Sequence, residues 1–378
     1  MEGCKVIEEY FKRTLPLIEK LDLSKIHNPV TFIGSAGFED RCFSFLDALI
    51  KSDKKIENVI GIEYRPFNPR NRKEEFQKLG TKAALRNKVK WVTYDRFDPE
   101  KFYHTFGSVK NLVDETANVI IDISGMSKFL IVVLLDILKD FKGNVIVIYS
   151  EAEIYHPTPE KYKSKKEEMT GITPTFLTKD VYKIALTTSL SSIAMQSSPL
   201  LMIAFPTFNY KELMALLSEM TPQYLIEFEG VPHEEGDQWR FDAVRGINRK
   251  IDKDFIFKID WIIHEELSTF DYIVTVAALD EIYKKFKYTH KCVIAPTGSK
   301  LQSVGVFIFK QLHPEVQIVY PVTKEFAEEY TEGCRNIWVI NFLKYHNFIK
   351  NLEKHRRAKL ISLKEAIEAQ KMDEKHEQ

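Results

Sequence analysis

The chain has 378 residues, 44% of them hydrophobic, with 54 basic and 54 acidic side chains and a formal net charge of zero. That length supports two domains, each with its own core. The even balance excludes broad, charge-driven nucleic-acid binding, which needs a clear basic excess, and leaves room for a local anion pocket.

Cys4, Cys42, Cys292 and Cys334 show no C-x-x-C spacing, so we expect a reduced, cytoplasmic protein with no disulfide framework or zinc knuckle. The N-terminal stretch is charged and has no apolar signal core. The longest apolar run, Phe129 to Leu138, contains Asp136. It is too short to span a bilayer, and no membrane association is expected.

Val6, Ile7, Tyr10, Phe11, Leu15, Leu17 and Ile18 predict an amphipathic helix over 5–21, bent or ended by Pro16. Then Val30–Gly34 reads as a strand, Ser35–Asp40 as a turn and Arg41–Ile50 as a helix. Asn58–Glu63, Val89–Tyr94, Asn118–Asp122 and Asn144–Tyr149 read as further strands, with helices near Lys73–Leu85 and over Ser127–Phe141. Short apolar strands separated by helices imply a parallel sheet covered on both faces. Residues 151–195 are less regular and read as a connector.

The alternation resumes with a strand at Leu200–Phe205, a helix at Tyr210–Met220 and a strand at Tyr224–Phe228. Phe270–Phe286 is read as a helix capped by Ser268. Cys292–Ala295 is a strand, Leu301–Leu312 a helix, and Val316–Tyr320 and Asn336–Ile340 late strands. Residues 346–378 read as a charged helical tail without a strong core stripe.

The expected fold class is α/β, with two Rossmann-like doubly wound parallel-sheet halves at 1–150 and 196–345 and helices at both ends. The span from Ser35 to Gly125 nearly equals that from Thr207 to Gly298, and an apolar strand follows each glycine at a similar distance. This suggests an internal duplication.

Two loops carry the strongest chemical signal. In Ile120-Ile-Asp122-Ile-Ser124-Gly125-Met126-Ser127-Lys128 an apolar strand stops at a hydroxyl-glycine turn and a helix begins at once. Backbone N–H groups and a helix N-terminus then face the carboxyl edge of the sheet, where phosphate is attracted. Ser124 and Ser127 can donate, Lys128 adds charge, and Asp122 can accept from a ribose hydroxyl or orient the turn. The alternative is an ordinary strand-to-helix turn with a serine cap, a bending glycine and a solvated lysine. Pro296-Thr297-Gly298-Ser299-Lys300 is the counterpart, without the aspartate. It lacks the glycine that a phosphate-binding P-loop needs, so ATP hydrolysis is not expected.

The strand, Asp, Ser/Thr-Gly, Ser-Lys and helix pattern resembles the signature of CARF domains, Rossmann-fold sensors of cyclic oligonucleotides in CRISPR systems. A tandem pair in one chain resembles the related SAVED domains. Met126 stands where the family has a second glycine. The resemblance implies a ligand groove across the halves. Ser124, Gly125, Ser127 and Lys128 would line one pocket, and Thr297, Gly298, Ser299 and Lys300 the other.

Further candidates flank these loops. In Gly34–Arg41, the backbone at Ser35 and Gly37 and the side chain of Arg41 can meet a ligand, and Glu39 or Asp40 can serve as a base contact or catalytic carboxylate. Helix capping is the rival role. Glu63 stands where a Rossmann acid meets ribose. The Tyr64–Arg72 loop offers three arginines with two aromatics, as a clamp or as a solvated loop. Trp239 could stack on a base while Arg240 and Arg245 hold phosphate. A metal site of His233, Glu235 and Asp237 is disfavoured, because no second histidine stands at ligand spacing. No metal and no cofactor are expected.

Three functions remain open. The first is a sensor of a nucleotide-derived ligand, such as a cyclic oligonucleotide, passing its state to a separate effector protein; antiviral defence is the setting the resemblance implies. The second is a nucleotide hydrolase, a phosphodiesterase or glycoside-bond cleaver, using Glu39, Asp40 and Asp122. The third is a scaffold subunit with degenerate pockets.

Overall fold

The computed structural model describes residues 2–168, 176, 178–255, 258–326 and 330–354. The first half contains α1 (Glu2–Thr14), β1 (Ile18–Lys20), β2 (Val30–Ser35), α2 (Ser44–Lys51), β3 (Asn58–Arg65), α3 (Lys73–Ala83), β4 (Val89–Asp95), α4 (Lys101–Gly107), α5 (Lys110–Asp114), β5 (Asn118–Asp122), α6 (Lys128–Ile137) and β6 (Asn144–Glu151). A connector supplies β7 (Ile154–Tyr155), α7 (Pro159–Glu168) and β8 (Thr178–Ala185). The second half contains β9 (Leu200–Ala204), α8 (Tyr210–Met220), β10 (Tyr224–Val231), α9 (Gln238–Phe255), β11 (Trp261–Ser268), α10 (Tyr272–Phe286), β12 (Lys291–Ala295), α11 (Lys300–Leu312) and β13 (Gln317–Ile318). Then come β14 (Tyr320–Phe326), β15 (Thr331–Glu332), β16 (Asn336–Phe342) and a helix over 345–354.

Each half holds a parallel sheet, β6-β5-β2-β3-β4 in the first and β11-β10-β9-β12-β13 in the second. Ranked along the chain, both sheets run third, second, first, fourth, fifth. The two halves therefore share one strand order, that of a Rossmann-like sheet. Strand order reverses between β2 and β5, and between β9 and β12, which opens a crevice at the carboxyl ends of those strands. The two hydroxyl-glycine loops leave β5 and β12 at those equivalent points.

Helix α6 is apolar all round, and every residue from Phe129 to Asp136 is buried. A helix of that kind needs cover on all sides. It packs against α11, and α11 against α10, so one core containing Phe129, Leu134, Val304 and Phe307 runs through both halves. Asp136 is accommodated there by the hydroxyls of Tyr103 (3.0 Å) and Ser189 and by Lys139 (3.2 Å).

Several expectations are corrected. The leading helix stops at Thr14, and the chain continues into β1, which pairs with β16. Helix α1 packs on α10 of the second half, where the Tyr272 hydroxyl donates to the Pro16 carbonyl. The late strand Asn336–Ile340, expected in the second half, is β16 and pairs antiparallel with β6 of the first sheet, from Asn336 opposite Glu151 to Phe342 opposite Val145. An antiparallel strand can close a sheet edge from any point in the chain, so sequence order does not reveal it. The tail does have a core side: Tyr345 and Ile349 are buried, and the Tyr345 hydroxyl donates to the Leu135 carbonyl at 3.1 Å. Residues 355–378 of the expected tail lie outside the described residues. Helix α10 is capped by Asp271, not Ser268.

The α10–α11 crossing depends on Gly305. A Cβ there would lie 2.7 Å from the Tyr272 carbonyl oxygen and 2.9 Å from Thr275 Cβ. Gly305→Val is expected to destabilise the fold by about 1–3 kcal/mol through overpacking. Urea unfolding checks this: the midpoint falls at constant slope, and an unchanged midpoint would show that the helices separate freely.

Candidate functional site

The loop after β5 is built by its own hydrogen bonds. Asp122 Oδ1 accepts from Ser124 N at 2.9 Å, and Ser124 Oγ accepts from Ser150 N at 2.7 Å. Both side chains are buried and point away from the groove. A Cβ on Gly125 would lie 2.6 Å from both Ser35 Oγ and Cys42 Sγ, so only glycine lets this loop lie against the one after β2. Ser127 caps α6 by accepting from Leu130 N at 3.3 Å, and its own N–H donates to the Tyr64 hydroxyl at 2.8 Å.

After β12, Thr297 Oγ1 donates to the Phe205 carbonyl at 2.8 Å. Ser299 and Gln302 form a capping box, with Ser299 N donating to Gln302 Oε1 at 2.7 Å and Gln302 N to Ser299 Oγ at 3.0 Å. The next residue crosses the boundary: Lys300 Nζ donates to the Met126 carbonyl at 2.6 Å. The two loops thus face one groove.

Two cavities flank this crossing. The first, about 430 Å³, is walled by Gly37, Glu39, Gly125, Ser127, the Tyr64 and Pro66–Asn71 stretch, Glu212, Lys300 and strand β14. The second, about 250 Å³, is walled by Gly298, Ser299, Phe208, Tyr155, Glu151 and Arg240. Lys128 and Tyr330 line both. Strand β14 pairs with β8 of the connector and is held by first-half arginines. Arg96 donates to the carbonyls of Thr323 (2.7 Å) and Lys324 (2.5 Å), and Arg70 to that of Phe326 (3.2 Å).

The charges are arranged crosswise. Glu39 is buried and paired with Arg41 at 2.6 Å, and it accepts from Thr331 Oγ1 at 2.6 Å. Burial raises its pKa, but Arg41, Lys300 and Thr331 together hold it below the usual value. Burial pushes the Lys300 ammonium down to about 8, against the pull of Glu39. In mirror fashion, burial pushes Glu212 of the second half up to about 7, opposed by Lys128 of the first half and by Asn209. Glu212 Oε1 accepts from Asn209 at 3.3 Å, while Oε2 has no hydrogen-bond partner among the described residues. Lys128 has no acid within ion-pairing distance among the described residues.

Other candidates are placed elsewhere. Asp40 is exposed and paired with Arg72. Arg41 is buried behind Glu39, its guanidinium over the rings of Tyr149 and Tyr155. Ser35 is buried, without a hydrogen-bond partner for its hydroxyl among the described residues. Glu63 pairs with Lys73 at 3.1 Å. Trp239 packs with Tyr162 and Phe208 in an aromatic cluster and lines neither cavity. Arg240 lines the second cavity, but its guanidinium donates to the carbonyls of Tyr155, His156 and Pro157 at 2.9–3.1 Å; burial lowers its pKa to about 10. Arg245 pairs with Glu229 and Glu266. His233 meets Glu151 and Glu234, while Glu235 and Asp237 lie in the short turn before α9.

Glu212, Arg96, Tyr320 and Tyr330 escaped the sequence reading. Asn209-x-x-Glu212 has the form of a helix cap, which hides its place in the groove. Tyr320 opens β14 and Tyr330 immediately precedes β15, and no local signal ties either to the site.

No family model and no curated protein matches the chain. Among solved structures, it is similar to a Type III CRISPR defence DNA nuclease activated by cyclic oligoadenylate, at a TM-score of 0.45 and 10% identity, over 78% of this chain and 65% of that one. The chain thus spans just under two thirds of that protein's length. It is also similar to the cytoplasmic domain of a prokaryotic cation chloride cotransporter, at a TM-score of 0.21 and 7% identity, over 79% and 98% of the chains. Scores this low decide nothing about function. Among the described residues, no helix is long and apolar enough to cross a membrane.

Asp122 allows a test of its structural role. Burial raises its pKa to about 7, against hydrogen bonding from Ser124 and the charges of Arg41 and Lys300. A folded pKa above the unfolded value means the native state binds the proton more tightly. Stability therefore falls as pH rises from about 4 to about 7 and levels off above. Asp122→Asn keeps an acceptor for Ser124 N and removes the charge. The variant should be more stable than wild type by about 1–3 kcal/mol at a pH near 8, with the gap closing toward pH 4. Thermal melts across pH check it; a variant uniformly less stable contradicts this role.

Proposed function

We propose that the protein binds a nucleotide-derived anion, such as a cyclic oligonucleotide, in the groove between its halves and signals the occupied state to a separate effector protein, in the setting of antiviral defence. The carrying observation is the crossed pair of lysines. Lys300 reaches from the second half to the first-half loop, and Lys128 lines both cavities. A part-buried ammonium without a close acid is costly unless an anion arrives. The Tyr64–Asn71 wall and Tyr320 add aromatic and amide surface suited to bases. One ligand touching both lysines favours a single arrangement of the halves, as a sensor requires.

Lys128→Ala and Lys300→Ala should each weaken binding of the best ligand from a panel of linear and cyclic nucleotides by about tenfold, since a charge-assisted contact contributes roughly 1.5–3 kcal/mol. Unchanged calorimetric affinity in both folded variants contradicts the reading. The same titrations carry a pH signature. Lys300 loses its proton above about 8 and Glu212 gains its charge above about 7. Both changes repel an anion, so affinity should fall by about tenfold from pH 6 to pH 9. Flat affinity over that range shows that neither group faces the ligand.

One observation favours hydrolysis as a second reading. Glu39 and Glu212 line the same cavity, one held below and the other raised above the usual carboxylate range, the split that suits a base and an acid. Incubation with the bound nucleotide, followed by chromatography, separates the two: a sensor returns it intact, and a hydrolase does not.

A further inference from the structure

We propose that Glu151, His233 and Glu234 form a binding site for a divalent transition-metal ion in the wall of the second cavity. Glu151 closes β6 of the first half, while His233 and Glu234 follow β10 of the second. His233 Nε2 lies 3.4 Å from Glu151 Oε1 and 3.1 Å from Glu234 Oε1, and the three ligand atoms lie within 4.8 Å of one another. Ions bound at about 2.0–2.2 Å by nitrogen and oxygen hold neighbouring ligand atoms roughly 3–3.4 Å apart. Nε2 already stands at that spacing from both oxygens.

The surroundings prepare these atoms for an ion. Glu151 is 3% exposed. Its Oε2 accepts from Trp338 Nε1 at 3.0 Å and from Asn336 Nδ2 at 3.3 Å, which fixes the carboxylate plane. Its Oε1 takes no hydrogen bond from the described residues and faces the imidazole. The Phe270 ring stacks on His233 with centroids 4.3 Å apart, and Arg335 engages the other oxygen of Glu234 at 3.2 Å. Outer partners of this kind orient metal ligands.

All three residues line the cavity that also holds Lys128 and Ser299. Its interior offers room for water or an anion oxygen to complete the coordination. One imidazole with two carboxylates suits Mn²⁺ or Zn²⁺ better than Mg²⁺, which prefers oxygen alone. The site stands independently of the nucleotide reading and would tie the two halves together when filled.

The test uses the full chain, stripped with chelator and free of nucleotide, titrated with Mn²⁺ and followed by the paramagnetic resonance of the free ion. Wild type should show saturable binding that Zn²⁺ displaces and equimolar Mg²⁺ does not. Glu151→Gln and His233→Ala should each weaken binding at least tenfold. Asp237→Asn, in the same cavity but outside the group, should leave it unchanged. Because Glu151 is buried, His233→Ala at an exposed position serves as the variant least able to disturb folding. Absence of saturable binding in wild type, wild-type binding in His233→Ala, or equal loss in Asp237→Asn overturns the site.

Discussion

Lys300 gives its ammonium to the Met126 carbonyl across the boundary between two sheets, at a place where burial strips it of water. Most of what distinguishes the groove follows from that contact. A desolvated cation is expensive unless acceptors and counter-charges surround it. Here one carbonyl and the field of Glu39 offset part of the cost, and the pKa still falls to about 8. The contact exists because α6 and α11 share one core: packing their apolar faces together brings both helix starts, and the lysine opening each, to the same place. The mirror pair sets Lys128 against Glu212, whose carboxyl is pushed up to about 7 by burial.

The parts of this design that depend on neighbours in sequence were legible, and those that depend on distant contacts were not. Buried parallel strands announce themselves as short apolar runs, and the motif loops could be placed at strand ends because a strand-turn-helix junction is local. What the loop hydroxyls do could not be read. Ser124, Ser127, Thr297 and Ser299 look like phosphate donors, yet each hydrogen-bonds the protein's own backbone. Serine and threonine at turns commonly do so. The lysines are the charged residues of the motif that line the cavities. Strand β16 shows the opposite case: its pattern is plain, but its partner β6 lies far back in the chain. Glu212 illustrates a third failure, because a helix-cap pattern and a site carboxylate look alike until the opposing lysine is placed.

The halves share their strand order but not their polar details. Asp122 pairs in register with Gly34 in the first sheet, and Ala295 with Ala204 in the second. Only the first half therefore carries a buried acid beneath its loop. The second half instead has Arg240 gripping the 155–157 turn. Tyr155 of that turn and Arg240 both line the second cavity, which is the smaller of the two. The two halves share the backbone frame and the lysine at each helix start, while their walls differ.

The larger cavity has one wall that belongs to neither parallel sheet. Strand β14 pairs with β8 of the connector, and Arg70 and Arg96 of the first half hold its carbonyls. These two arginines line that cavity together with Lys128, Lys300 and Lys324. Under the sensor reading, a phosphate entering the cavity competes with the β14 carbonyls for the arginines, and charge-assisted contacts to phosphate are the stronger kind. Occupancy then loosens or shifts β14 relative to the first half while the lysines draw the helix starts together. A signal built this way leaves through the connector, whose strands β7 and β8 pair with β15 and β14, and needs no rearrangement of either sheet.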